Sequence, residues 1–341
     1  MIRSFLVLAL LWASPTAAEV SLRLATFNTG LGRDGPGLLL KDILDQDPDI
    51  LALSEIIRAA NPDILLLTGM DNDYQNLALG RFNSLPGLGY PYIFAPLGNA
   101  GQDSGLDING NGRLRDWNDA WGFGRFEGSE GMALLSRFPI TGSRTFDTAK
   151  WQDFGPAPLQ ADGTDFFATA LWPRLRLAAH SLWDVEIRTS SGPLRILASH
   201  PTPPVFDGEE DANGLRNEAE INFLLQYISG APLTDDSGLT APRSAAPFVL
   251  LADLNADPTG GDSRKERLRA LLSHPGLQRP PQLQDQPTAF WETAGNLRVD
   301  YVLPSSGLAL RSAGVFQPND PQLQEASQTR HRLVWVDITL P

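Results

Sequence analysis

Short apolar runs recur along the chain at 22–27, 64–67, 92–95, 132–135, 183–187, 194–198, 248–251, 299–303 and 333–338, several of them flanked by turn residues. Runs of this length read as buried or half-buried strands. Helical periodicity is scarcer and is expected at 47–60, 75–82, 215–229 and 264–272. Strands that outnumber helices in one long chain bury their faces as two packed sheets with helices outside. Two stretches, 99–130 and 143–170, are rich in Gly, Asp, Asn, Pro and aromatics. They read as long surface excursions, which in compact domains are often functional.

No Ser/Gly-rich linker, heptad pattern or tandem repeat divides the chain, so a single domain over 19–341 is expected. Residues 1–18 have the parts of a secretory signal peptide: Arg3, an apolar stretch over 5–13, a break at Pro15 and small residues up to Ala18. A bilayer span needs about 20 apolar residues, and no stretch reaches that. The expected location is therefore outside the cytoplasm, periplasmic or secreted, with no membrane anchor. Zero Cys excludes disulfides and thiolate chemistry. A net charge of −13 disfavours nucleic acid, whose binders draw most of their affinity from Lys and Arg.

Four strand ends release polar residues that could carry chemistry. The first run ends in Asn28, whose amide oxygen can ligate a hard cation. The run at 248–251 continues to Asp253-Leu-Asn255, which puts two polar side chains on one face. Asp300 opens another run, and Thr329-Arg330-His331 precedes the last. Alone each is weak, because Asn and Asp are common turn formers and single His residues are usually structural. Together and in this order they resemble the endonuclease/exonuclease/phosphatase superfamily. Gly131-Met-Ala-Leu-Leu-Ser-Arg-Phe-Pro-Ile matches another of its strands and Leu-Ala-Ser-His200 a further one. The resemblance spans about 22–340. Stretches 123–133, 200–217 and 331–338 resemble more closely a bacterial exported branch, some of whose members are phosphatase- or phytase-like.

The resemblance implies an α/β (α+β) fold, a four-layer sandwich of two packed mixed β-sheets flanked by helices. It also implies an exported, metal-dependent phosphoesterase acting on a small phosphorylated substrate. Asn28 and a glutamate at the end of the second motif strand would hold Mg²⁺ or another divalent ion such as Mn²⁺ or Ca²⁺. Asp253 would orient or deprotonate water, and Asn255 would hold a non-bridging oxygen. His331 would face the phosphate with Asp300 fixing its tautomer, and His200 would contact phosphate or stabilise the site.

Two departures stand out. The family places Asp before its final His, where this chain has Arg330. A guanidinium cannot ligate a metal, though it can grip a phosphate. The second departure concerns a duplicated Pro-Asp-Ile. The copy at 48–50 leads to Glu55 and resembles the metal-binding strand, yet it reads as a helix. Asp47 is a good N-cap and Pro48 a good first residue, and Ile50, Leu53, Ile57 and Ala60 share a face. The copy at 62–64 then forms the strand, and Gly69 stands where the glutamate belongs. Candidate metal ligands are thus Asn28, Asp71 and, in the other register, Glu55. The alternatives to a weakened hydrolase are an inactive secreted binding protein on the same fold and a secreted nuclease.

Asp107, Asn109, Asn111 and Asp116, with Gly112 sixth in the loop, have the oxygen spacing of a calcium loop. Asn118 at the twelfth position is not the usual Glu, so the same residues also read as an Asx-rich turn. Arg216 and Asn217 suit either substrate or a helix surface, His180 reads as structural, and Trp117, Trp121, Phe123 and Phe126 suit a pocket wall or loop packing. The oligomeric state is not legible.

Overall fold

The computed structural model describes residues 20–340, so the expected signal peptide lies outside the described residues. In chain order the strands are β1 (Val20–Leu31), β2 (Ile64–Met70), β3 (Tyr92–Phe94), β4 (Gly131–Ser136), β5 (Ile140–Thr145), β6 (Leu182–Thr189), β7 (Gly192–Ser199), β8 (Leu233–Thr234), β9 (Thr240–Ala241), β10 (Phe248–Asp253), β11 (Ala289–Trp291), β12 (Gly295–Leu297), β13 (Asp300–Pro304), β14 (Ala309–Val315) and β15 (Val334–Leu340). The helices are α1 (Leu38–Asp45), α2 (Pro48–Ala60), α3 (Leu77–Asn83), α4 (Ala212–Ile228), α5 (Glu266–Leu272) and α6 (Pro321–Ala326). Among the described residues no helix is long and apolar enough to cross a membrane.

One sheet has six strands in the order β14-β15-β1-β2-β4-β3, and the second has five in the order β13-β10-β7-β6-β5. Each is mixed. β1 and β2 run parallel in the first, as do β7 and β10 in the second, and their other neighbours are antiparallel. Alternation sorts each strand between two cores. Leu22, Leu24, Ile64, Leu66, Val249, Leu251, Ile196 and Val336 point inward between the sheets. Ala25, Phe27, Leu65 and Leu67 point outward against α1, α2 and α3. Phe248, Leu250, Tyr301 and Leu303 point outward against α4 and α5. Helices, sheet, sheet and helices give the four-layer α/β sandwich.

The first Pro-Asp-Ile copy forms α2, with Pro48 at its start and Asn61 in the left-handed region at its end. Asp47 takes the N-cap position but its side chain makes no capping hydrogen bond. Ile50, Leu53, Ile56, Ile57 and Ala60 are buried on the face toward the sheet. The second copy leads into β2, every residue of which is buried.

Candidate active site

Along β1 and β2 the inward face changes from Leu22, Leu24, Ile64 and Leu66 to the buried Thr26 and Thr68, and then to Asn28. The same turn from apolar to polar occurs on the second sheet. β7 passes from Ile196 and Ala198 to His200, and β10 from Val249 and Leu251 to Asp253. Because β1/β2 and β7/β10 are parallel pairs, these polar ends emerge on one edge of the sandwich. Crevices at the carboxyl ends of parallel strands are where ligands of α/β sheets bind. Asp300 enters from an antiparallel strand, directly opposite Asp253. His331, ahead of β15, is fixed by a bridge to Ala289.

Two carboxylates facing each other across a strand pair repel unless a cation joins them. His331 is that cation: its Nδ1 lies 2.9 Å from Asp300 Oδ2 and 3.8 Å from Asp253 Oδ2. Burial alone would lower its pKa, but the Asp300 and Asp253 carboxylates raise it to about 9. Burial raises Asp300 to about 6; the imidazolium opposes that rise and Asp253 adds to it. The His331 ring is also held edge-on by Trp291, with centroids 5.3 Å apart.

Asn28 joins this group from the other sheet. Its Nδ2 donates to Asp253 Oδ2 at 2.8 Å, and its Oδ1 accepts from the Gly30 amide at 3.1 Å. Those partners fix the amide orientation, since a carboxylate needs a donor and an N–H an acceptor. Asp253 Oδ1 accepts from the Asn255 amide at 3.0 Å. Asn255, in the left-handed region with φ +51°, spends one side-chain N–H on Pro201 O at 3.0 Å.

His200 lies behind Asp253, with Nε2 3.5 Å from Asp253 Oδ2. Burial, with the His331 charge second, pushes its pKa down to about 3, so the ring is neutral. Facing a carboxylate, that neutral ring carries its proton on Nε2. Its buried Nδ1 has no hydrogen-bond partner. The ring stacks on His180 at 4.0 Å, and His180 Nδ1 donates to the His200 carbonyl at 2.8 Å. His180 therefore supports the site from behind, a role that sequence spacing alone did not signal. Thr329 was also missed: its hydroxyl donates to Asn28 O at 2.8 Å and accepts from the His331 amide at 3.2 Å.

The metal-ligand candidates fare differently. Asp253, Asp300 and His331 are buried and offer ligand atoms within 4.8 Å of one another, a group able to hold a cation if His331 gives up its proton. The place beside Asn28 does not fit a divalent ion. Gly69 has φ +62°, and a Cβ added there would lie 2.3 Å from Asn28 Oδ1, so no side chain fits at this position while Asn28 keeps its place. Asp71 is buried with each oxygen already taken, Oδ2 by the Arg33 amide and Oδ1 by the Glu130 amide, both at 2.9 Å. It clamps the β1 and β4 ends, and burial, the leading cause, raises its pKa to about 6. Glu55 is corrected outright: it sits on the outer side of α2, half exposed and paired with Arg58, because the helix turns it away from the sheet edge.

In the candidate calcium loop, Asp107 accepts from the Asn111 and Gly112 amides at 3.0 and 2.8 Å. The Asn109 and Asn111 side chains donate to Asp116 at 3.0 and 2.6 Å. The residues form nested Asx turns with a 3₁₀ turn on the C-terminal side, not a helix-flanked EF-hand. Arg216 is spent on backbone carbonyls, including Trp121 O at 2.6 Å, and Asn217 on Thr202 O and Leu254 O. Both are structural.

The endonuclease/exonuclease/phosphatase family model matches residues 25–327. Among solved structures, an endonuclease/exonuclease/phosphatase from Beutenbergia cavernae is 19% identical, covering 94% of this chain and 72% of its own, with a TM-score of 0.57. A family protein from Bacteroides thetaiotaomicron is 12% identical over 95% of this chain and 100% of its own, with a TM-score of 0.54. The human Nocturnin catalytic domain, solved with a bound sulfate anion, is 17% identical over 93% of this chain and 94% of its own, with a TM-score of 0.51. At these identities the likeness is one of fold. No curated protein matches the sequence.

Proposed function

Because this chain belongs to the endonuclease/exonuclease/phosphatase family, we propose that it is a phosphoric-ester hydrolase acting on a small phosphorylated compound. The observation that carries this reading is the meeting of Asn28, Asp253, Asp300 and His331 at one sheet edge, with a charged His331 between two carboxylates. In-line displacement at phosphorus needs an oriented nucleophile, positive charge at the equatorial oxygens and a proton for the leaving group. Asp253, tethered by Asn28 and the Asn255 amide, accepts a hydrogen bond from the attacking water. His331, with Nδ1 committed to Asp300, has Nε2 free to donate to a phosphoryl or leaving-group oxygen. Asn255 offers its second side-chain N–H to a non-bridging oxygen.

If His331 gives up its proton, Asp253 and Asp300 would hold a divalent ion such as Mg²⁺, Mn²⁺ or Ca²⁺, which would then supply charge to the phosphoryl group in its place. The net charge of −13 favours a small substrate over nucleic acid, and the leader-like first 18 residues favour export. A second reading, ligand binding without turnover, draws support from Gly69, which leaves the Asn28 side without a carboxylate.

The test is hydrolysis of generic phosphate mono- and diesters in metal-free buffer and with each of the three ions. Asp253→Ala and His331→Ala are expected to lower kcat at least about 100-fold, in line with removal of a positioned acid or base. Wild-type turnover no greater than that of these variants would favour binding without catalysis. Cleavage of DNA in preference to small esters, steeply weakened by salt, would turn the reading toward a nuclease.

A further inference from the structure

Seven aspartates are buried among the described residues. In Asp71, Asp184, Asp235, Asp253, Asp257 and Asp300 both carboxylate oxygens are engaged by amides, hydroxyls or cationic side chains. Asp119 is the exception. It is 0% exposed, its Oδ2 has no hydrogen-bond partner, and no cationic side chain among the described residues pairs with it. Buried charges are paired or coordinate metals, so this carboxylate lacks its counter-charge.

The other oxygen shows where the carboxylate faces. Asp119 Oδ1 accepts from the Ile108 amide at 2.8 Å, so the group lies against the peptide that joins Asp107 to Ile108. That peptide opens the loop whose oxygen spacing fits calcium. Each oxygen of Asp107 accepts one backbone amide, and so do Asn109 Oδ1 and Asn111 Oδ1. All four keep a second lone pair. Both Asn side chains turn their N–H groups to Asp116, which directs their oxygens away from it. Asn118, at the twelfth position, is exposed, but the 3₁₀ turn over 117–119 brings the next residue inward. Asp119 thus stands one residue beyond the place where the spacing expects a carboxylate. Its backbone is fixed by a hydrogen bond to Asp116 O at 3.1 Å and by the bridge between Asp103 and Ala120.

We propose that Asp119, with Asp107 and the side-chain oxygens of Asn109 and Asn111, forms a structural Ca²⁺ site distinct from the Asp253, Asp300 and His331 group. An all-oxygen loop suits Ca²⁺, which takes about six to eight oxygens in flexible geometry; Mg²⁺ demands a near-ideal octahedron and sheds water reluctantly. The ion ties the lobe at 104–118 to the short ribbon made by the Ala100–Gly122 and Asp103–Ala120 bridges. The proposal does not rest on the hydrolase reading and holds whether or not an ester is turned over.

The experiment is calorimetric titration and thermal unfolding of the full chain, first in chelator, then with Ca²⁺ and separately with Mg²⁺. Wild type is expected to bind Ca²⁺ with a Kd of at most about 1 mM, the weak end of calcium modules, and to gain Tm with Ca²⁺ well beyond any gain with Mg²⁺. Asp119→Asn keeps an acceptor for the Ile108 amide and removes only the charge. Its Tm in chelator should equal or exceed that of wild type, because a lone buried charge is gone. Its Ca²⁺ affinity should fall at least about 10-fold, as loss of a charged ligand does. Asn111→Ala, at an exposed position, should weaken Ca²⁺ in the same direction.

Asp253→Asn identifies calcium held at the catalytic edge instead. A Ca²⁺ response lost in Asp253→Asn and kept in Asp119→Asn would overturn the proposal. So would the absence of any Ca²⁺-dependent rise in the wild-type Tm, or an equal rise with Mg²⁺. A Tm of Asp119→Asn lowered as much in chelator as in Ca²⁺ would make Asp119 a support for the turn and overturn it likewise.

Discussion

Replacing Gly69 with alanine probes how tightly the end of β2 is fitted to Asn28. The new Cβ would lie 2.3 Å from Asn28 Oδ1 and 3.1 Å from its Cγ, in a backbone with φ +62°. A side chain in the left-handed region costs about 1–2 kcal/mol. The overlap must also turn Asn28 off Asp253, breaking a 2.8 Å hydrogen bond to a buried carboxylate. Such a bond contributes about 1.5–3 kcal/mol. The expected loss is about 3–5 kcal/mol, which in a chain of this length lowers Tm by roughly 5 °C. The assay is urea unfolding of Gly69→Ala, Asn28→Ala and the double variant. With Asn28 truncated the added methyl meets no oxygen, so only the backbone strain remains. The cycle should therefore show a coupling of at least about 1.5 kcal/mol. Strictly additive losses, or a Gly69→Ala cost below about 1 kcal/mol, would refute the reasoning.

Three further outcomes are expected. His331 has its pKa raised to about 9 in the folded state, against 6.5 for an unperturbed imidazole, so its stabilisation is full below pH 6.5 and is lost as pH rises through 9. The Tm gap between wild type and His331→Gln should close between pH 7 and 9.5; a constant gap would contradict the ion pairing. Glu220 accepts from the Ala179 amide at 2.8 Å and the Thr202 amide at 2.7 Å, flanking the two stacked histidines. Glu220→Ala leaves two buried N–H groups unpaired and should cost at least about 2 kcal/mol by urea unfolding; a neutral result would mean water replaces the carboxylate. Glu55→Gln should leave both Tm and esterase activity unchanged, and any loss of metal-stimulated activity would return Glu55 to the site.

What could be read from the sequence depended on how local its physics was. The helix at 48–60 was legible because its starting proline, apolar spacing and Asn-Pro stop all lie within it. The strands that form the inter-sheet core were legible as apolar runs. β5 and β14 were not, since Ile140–Thr145 and Ala309–Val315 lie toward sheet edges and alternate with polar residues. α1 was not legible, since Gly37 leads into it without a capping side chain and its first turn carries no acidic residue, and α6 is only six residues long. Asp253, Asp300 and His331 could be named through family resemblance, but their pairing depends on the β10/β13 register and on the bridge at Ala289, which no local pattern encodes. Asp71 was a reasonable ligand by spacing. Its role was decided by two backbone amides, at Arg33 and Glu130, that are remote in sequence.

The hydrogen bonds at the sheet edge cross from one sheet to the other. Asn28 of the first sheet holds Asp253 of the second, and His331, leading into the first, holds Asp300 of the second. Each sheet thus carries part of the reacting group, and neither carries all of it. The distance between proton donor and acceptor is in effect a gauge of how far apart the two sheets stand. Thickness in the apolar interior, set by leucines and valines that never meet a substrate, is thereby written into the alignment of the chemistry at the rim.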